Sequence, residues 1–125
     1  MSVVVTGAAG FLGRALVASL AADGIPVIAV DRRPPPDGPG VTPLRADLLD
    51  RRPAVTEALY CADAVFHLAG RPGVRDTGAA ADAARTRDNV RATAEVLATA
   101  IDELAAPAEL PADPDLGLTL RLAKI

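Results

Sequence analysis

The chain opens with a strand that has almost no freedom to be anything else: Val3-Val4-Val5-Thr6 runs directly into Gly7-Ala8-Ala9-Gly10-Phe11-Leu12-Gly13. Three successive β-branched residues favour extended backbone, and Gly7 permits a sharp turn where a Cβ would clash. Gly10 leaves the backbone open to close approach, and Gly13 lets the following helix pack tightly on the strand. The first N–H groups of that helix have no intrahelical acceptor and sit at the positive end of its dipole. The pattern therefore suits a diphosphate. A glycine triplet alone also occurs where strands simply end, so its surroundings decide.

Those surroundings complete a unit. Arg14 to Ala22 carries Leu16, Val17 and Leu20 at helical spacing and stops near Gly24. Val27-Ile28-Ala29-Val30 is a second apolar run, ending at Asp31. Strand, glycine turn, helix, strand and acid form a right-handed βαβ unit, with the carboxylate about twenty residues beyond the turn, as dinucleotide binding requires. Asp31 can accept both hydroxyls of an adenosine ribose and repels a 2′-phosphate, which favours NAD; the plainer alternative is a residue that starts the proline-rich turn. Arg32 and Arg33 are either solvated or able to clamp a 2′-phosphate, so NADP stays open.

Length and composition narrow the field. With 125 residues, net charge −3, no basic cluster and only 2% aromatic residues, the chain reads as one domain with little to offer a nucleic acid. The single cysteine, Cys61, precludes an internal disulfide, fits a reducing compartment and is expected in the core. Neither a leader nor a membrane-length apolar run is evident, so a cytoplasmic protein is expected.

Further along, residues 32–40 form a proline- and glycine-rich loop, and Val41 to Arg45 is a third strand. Asp50 is expected to cap a helix reaching about Tyr60, with Pro53 in its first turn. Ala64 to Ala69 is a fourth strand; its continuous apolar run, like the first two, signals a parallel sheet buried on both faces. After a loop over 70–78, Ala79 to Ala106 reads as mostly one helix, with Val90, Ala94, Leu97, Ile101 and Leu104 as its apolar stripe. Residues 107–115 are a linker. Leu116, Leu118, Leu120 and Leu122 alternate with other residues, the period of a half-exposed strand. The expected division is a partial nucleotide-binding domain over 1–106 and a linker with a terminal strand over 107–125.

With these pieces placed, the chain resembles the NAD-dependent epimerase/dehydratases, the extended short-chain dehydrogenase/reductases. The matching residues are Thr6 to Gly13, Asp31, Asp47-Leu48, His67-Leu68-Ala69-Gly70 and Asp88-Asn89-Val90. The stretch Ala69 to Thr77 is similar to the loop after the fourth strand in nucleotide-sugar epimerases, especially the UDP-glucuronate 4-epimerase type. The resemblance implies an α/β fold: a Rossmann-like parallel sheet of order 3-2-1-4 flanked by helices, truncated, here with an additional C-terminal strand. It also implies NAD as cofactor. Gly7, Gly10, Phe11, Leu12 and Gly13 would line the pyrophosphate, Asp31 and Arg32 the adenosine ribose, and Asp47 and Leu48 the adenine. Leu68, Ala69 and Gly70 would face the middle of the cofactor, and Arg75 and Thr77 would lie near a sugar nucleotide.

Plainer roles compete at several positions. His67, the only histidine, is better read as a buried hydrogen-bonding residue than as a catalyst or metal ligand. Asn89 either fixes the neighbouring strand or is solvated, Asp47 either borders the adenine or caps the next helix, and Arg51 and Arg52 read as a solvated helix face. The family's chemistry uses a tyrosine that exchanges a proton with a sugar hydroxyl and a lysine four residues on. Here the only tyrosine is Tyr60 and the only lysine is Lys124, so no catalytic residue is assigned. Two functions follow: the cofactor half of an epimerase/dehydratase, truncated or completed by another chain and inert alone, or a stand-alone non-catalytic NAD(P)-binding or regulatory module. In the second, the Leu116–Leu122 strand would cover an open sheet edge that otherwise invites homodimerisation.

Overall fold

A computed structural model describes residues 2–71 and 77–101 of the chain. Four parallel strands, β1 (Val3–Thr6), β2 (Val27–Asp31), β3 (Val41–Arg45) and β4 (Ala64–His67), form one sheet in the order β3-β2-β1-β4. The order is the one the family resemblance implies, and the parallel direction is the one expected from the continuous apolar runs. Helix α1 (Phe11–Ala22) links β1 to β2, and α2 (Pro53–Cys61) links β3 to β4. Beyond β4, α3 (Ala79–Arg85) continues through a wide π-helical turn, Thr86–Arg91, into α4 (Ala92–Ile101).

The pleat sends successive β1 side chains to opposite faces and so builds two cores. Val3 and Val5 pack with Ala8, Val17, Val27 and Ala29 beneath α1. Val4 packs with Val30, Val65, Leu59, Val55 and Val96 beneath α2 and α4. Burying β1 on both faces is why its sequence is continuously apolar rather than alternating.

Several expectations change. The π turn inserts extra backbone ahead of α4. The buried stripe is Asp88, Ala92, Val96 and Ala100, whereas Val90 is 62% exposed and Ala94 also faces out. Val96 and Ala100 pack on the core beside Val4 and Val65, and Val90 is turned away. Asp50 is not a helix cap: it ends a 3-10 turn (Leu48–Asp50) that Asp47 caps. Arg51 then adopts a left-handed conformation, φ 49°, and separates that turn from α2. Pro53 does occupy the start of α2, preceded by Arg52, whose side chain makes no cap. Cys61 is exposed rather than in the core, because α2 buries Val55, Ala58 and Leu59, a stripe that Cys61 lies off. β4 ends at His67, two residues earlier than its apolar run suggests. No helix among the described residues is long and apolar enough to cross a membrane. The expected Leu116–Leu122 strand and Arg75 lie outside the described residues.

Candidate functional site

Because all four strands are parallel, their carboxyl ends meet at one edge of the sheet. The helices that follow β1 and β4, α1 and α4, pack on opposite faces of the sheet, the arrangement in which open α/β sheets form a crevice. A cavity of about 750 Å³ opens along this edge. Its wall draws on Gly7, Gly10, Phe11, Leu12 and Gly13 after β1, Asp31 and Arg32 at β2, Asp47 and Leu48 after β3, and Leu68, Ala69 and Gly70 after β4. Thr77 is exposed just ahead of α3 and is not part of this wall.

The glycine turn is held by steric necessity. Gly7 has φ +69°, and a Cβ there would lie 2.6 Å from the backbone of Leu68 and Ala69. A Cβ on Gly13 would lie 2.1 Å from the carbonyl oxygen of Gly7. The start of α1 thus nests against the turn, with Gly10 at the N-cap position and no side chain capping it. Its first N–H groups have no intrahelical acceptor, and the cavity is the space in front of them. This cradle fits a diphosphate.

Asp31 is wired into the same turn. One carboxylate oxygen accepts the Ala9 N–H at 2.9 Å and the other accepts the Arg33 N–H at 2.9 Å. An ionised carboxylate offers about four acceptor positions, so capacity remains for the two hydroxyls of a ribose. Asp47 accepts the Leu49 N–H at 3.0 Å and Arg87 Nη2 at 2.6 Å. Both of the roles considered for Asp47 are therefore geometrically compatible: it caps a turn and it borders the cavity. Burial pushes its pKa up, but the Leu49 N–H and the Arg87 guanidinium outweigh that and hold it below the ordinary value.

Of the remaining wall, the sequence marks only Arg33 as a ligand contact, and only Arg71 and Asp88 fall in stretches that resemble the family. Arg33, Arg71, Arg87, Asp88 and Ala92 also line the cavity. Asp88, 6% exposed, sits in the π turn and accepts from Arg32, Arg71 and Arg87. Burial again raises its pKa, and the hydrogen bonds from Arg71 and Arg32, with that from Arg87, bring it below the ordinary value. A charged residue flanked by arginines inside a helical segment was the available signal, but such a run ordinarily marks a solvated face. Arg51 and Arg52 are likewise engaged rather than simply solvated: Arg51 pairs with Glu95 at 2.7 Å, and Arg52 donates to the Arg45 carbonyl.

Between cavity and core runs a chain of hydrogen bonds through His67. Thr93 Oγ1 donates to the Asn89 carbonyl at 2.6 Å, so it accepts from His67 Nε2 at 2.9 Å. That leaves Nδ1 as acceptor for the Thr6 hydroxyl at 2.6 Å, and Thr6 Oγ1 in turn accepts the Ala69 N–H at 3.3 Å. His67 is structural, as read from the sequence, and burial lowers its pKa. Asn89 closes the arrangement: its side chain accepts from Arg71 N–H and donates to Arg71 C=O, at 2.6 and 3.1 Å. It fixes the loop after β4 rather than facing only solvent.

Comparison with known proteins agrees with this geometry. A profile of the NAD dependent epimerase/dehydratase family matches residues 3–106. The solved structure of MoeE5 in complex with UDP-glucuronic acid and NAD is 39% identical, with a TM-score of 0.74 over 82% of this chain and 33% of that one. UDP-glucuronic acid 4-epimerase from Bacillus cereus, with UDP-glucuronic acid and NAD, is 26% identical, with a TM-score of 0.70 over 79% of this chain and 36% of that one. A 2-alkyl-3-oxoalkanoate reductase from Stenotrophomonas maltophilia (strain K279a) is 41% identical over 75 residues, 58% of this chain and 22% of its own length. The chain thus spans between a fifth and two fifths of the relatives it matches. The glycine cradle, the acid at the end of β2 and the parallel sheet are those of a family member: this chain belongs to the NAD-dependent epimerase/dehydratase family.

Proposed function

We propose that this chain is the NAD-holding part of a nucleotide-sugar epimerase of the UDP-glucuronate 4-epimerase type, with the proton-transfer half contributed by residues outside it. The observation that carries the reading is the cavity at the carboxyl edge of the sheet, with an uncapped helix start on one side and Asp31 on the other. The likeness to MoeE5 supports the substrate class.

In this reading the backbone N–H groups at the start of α1 bind the diphosphate, and Gly7 and Gly13 keep that backbone close enough to do so. Asp31 orients the adenosine ribose, with Arg32 beside it, while Asp47 and Leu48 border the adenine. Leu68, Ala69 and Gly70 flank the middle of the dinucleotide and shield it from water on the β4 side. Arg75 and Thr77 belong near the sugar nucleotide. When bound, NAD supplies a hydride acceptor and donor. Residues 1–106 would form the folded unit. No tyrosine or lysine lines the described cavity; the only tyrosine, Tyr60, lies exposed on α2. The residues present hold and orient, and the proton transfer falls to another part of the protein.

Calorimetric titration with NAD and NADP, followed by an isomerisation assay on UDP-glucuronate, tests this. The expected result is micromolar NAD binding with no turnover. Absence of NAD binding, or isomerised UDP-sugar produced by this chain alone, would overturn it.

A further inference from the structure

We infer that Asp88 is a specificity-determining residue that holds Arg32 away from a 2′-phosphate, so that the cavity prefers NAD over NADP; this rests on the NAD reading above. Asp31 repels such a phosphate directly, but Arg32 and Arg33 follow it immediately and line the same cavity. A guanidinium is the side chain best matched to phosphate oxygens, so arginines at this spot would undo the acid's selectivity if they were free.

Arg32 is not free. Its Nη1 and Nη2 donate to the two oxygens of Asp88, each at 3.1 Å, in a forked pair. Arg71 Nε adds a bond at 3.0 Å and Arg87 Nη1 one at 3.2 Å, so a single carboxylate, its side chain only 7% exposed, restrains three cations. The other cavity arginines have additional anchors. Arg87 also pairs with Asp47, Arg71 is gripped through its backbone by Asn89, and Arg33 Nε lies 3.7 Å from Asp31. The forked pair of Arg32 is made with Asp88 alone. The side chain of Arg32 remains half exposed, so it has room to reorient once released.

The test is calorimetry of the 125-residue chain with NAD and NADP. Asp88→Asn breaks the fork, because an amide offers one oxygen and turns N–H groups toward the guanidiniums. NADP affinity relative to NAD should rise about tenfold, the scale of one charge-assisted hydrogen bond gained. The gain should vanish in the double variant D88N/R32Q. A folded D88N chain with the wild-type preference overturns the inference, as does a gain that persists in the double variant. A wild-type chain that binds neither dinucleotide overturns the cofactor reading and this one together. If D88N fails to fold, NMR of the wild-type chain decides. The Arg32 guanidinium signals, identified by their loss in Arg32→Lys, should stay in place on addition of 2′-AMP. Their displacement by 2′-AMP but not by 5′-AMP counts against the latch.

Discussion

His67 stands between two threonines whose hydroxyls fix its protonation: Thr93 gives its proton to a carbonyl, so the imidazole donates from Nε2 and accepts at Nδ1. Nitrogen NMR at neutral pH should find the neutral Nε2–H form. Thr6→Val keeps the shape but strands both Nδ1 and the Ala69 N–H, and should cost about 1–3 kcal/mol in urea denaturation, with Thr6→Ser recovering most of it. The folded-state pKa of His67 lies below its unfolded value near 6.5, so its contribution is whole above that pH and is lost as pH falls through the folded value. The dependence of Tm on pH below about 6.5 should flatten in His67→Gln. Asp47 and Asp88, both depressed, act in a lower window: their contribution holds above the unfolded value of about 4 and is lost as pH falls below it. A lone histidine closing an apolar strand was readable as structural. Its partner Thr93 was not, since that pairing depends on the rotation of a helix later in the chain.

Helix rotation is where the residue pattern misled. The run after Ala79 is so rich in alanine that several of its faces look apolar, and periodicity chose the one bearing Val90 and Ala94. The π turn, for which the sequence has no marker, sets the face that meets the sheet. It carries Ala92, Val96 and Ala100 instead. Two substitutions separate these registers. Ala100→Leu should destabilise by about 1–3 kcal/mol through overpacking, while Val90→Ala should stay within about 0.5 kcal/mol. Thermal melts of both, with the order reversed, would contradict the register. Wide turns of this kind recur at functional sites, and this one places a carboxylate against the cavity. β1 and β2 were easier, because a strand buried on both faces declares itself by uninterrupted apolar residues.

At the scale of the molecule, the crevice at the carboxyl edge of the sheet was legible from parallel strands and a glycine turn, and the strand order from the family resemblance. The cluster of arginines around Asp88 was not, since it joins residues from the turn after β2, the loop after β4 and the helical arm. A ligand that binds only the folded chain raises its stability by mass action. NAD at a hundred times its Kd should add about 2.7 kcal/mol and lift the Tm, and NADP at the same concentration should do less. An equal shift from both would mean that the acid at the end of β2 does not discriminate. That acid has another effect through its bond to the Ala9 N–H, which ties the glycine turn to the second strand. In the proposed reading the ribose bonds this carboxylate while the diphosphate sits on the turn that it ties down, which would couple the two subsites. Adenosine and pyrophosphate added together should then bind with a cooperativity that Asp31→Ala abolishes, as expected of two subsites sharing one mechanical joint.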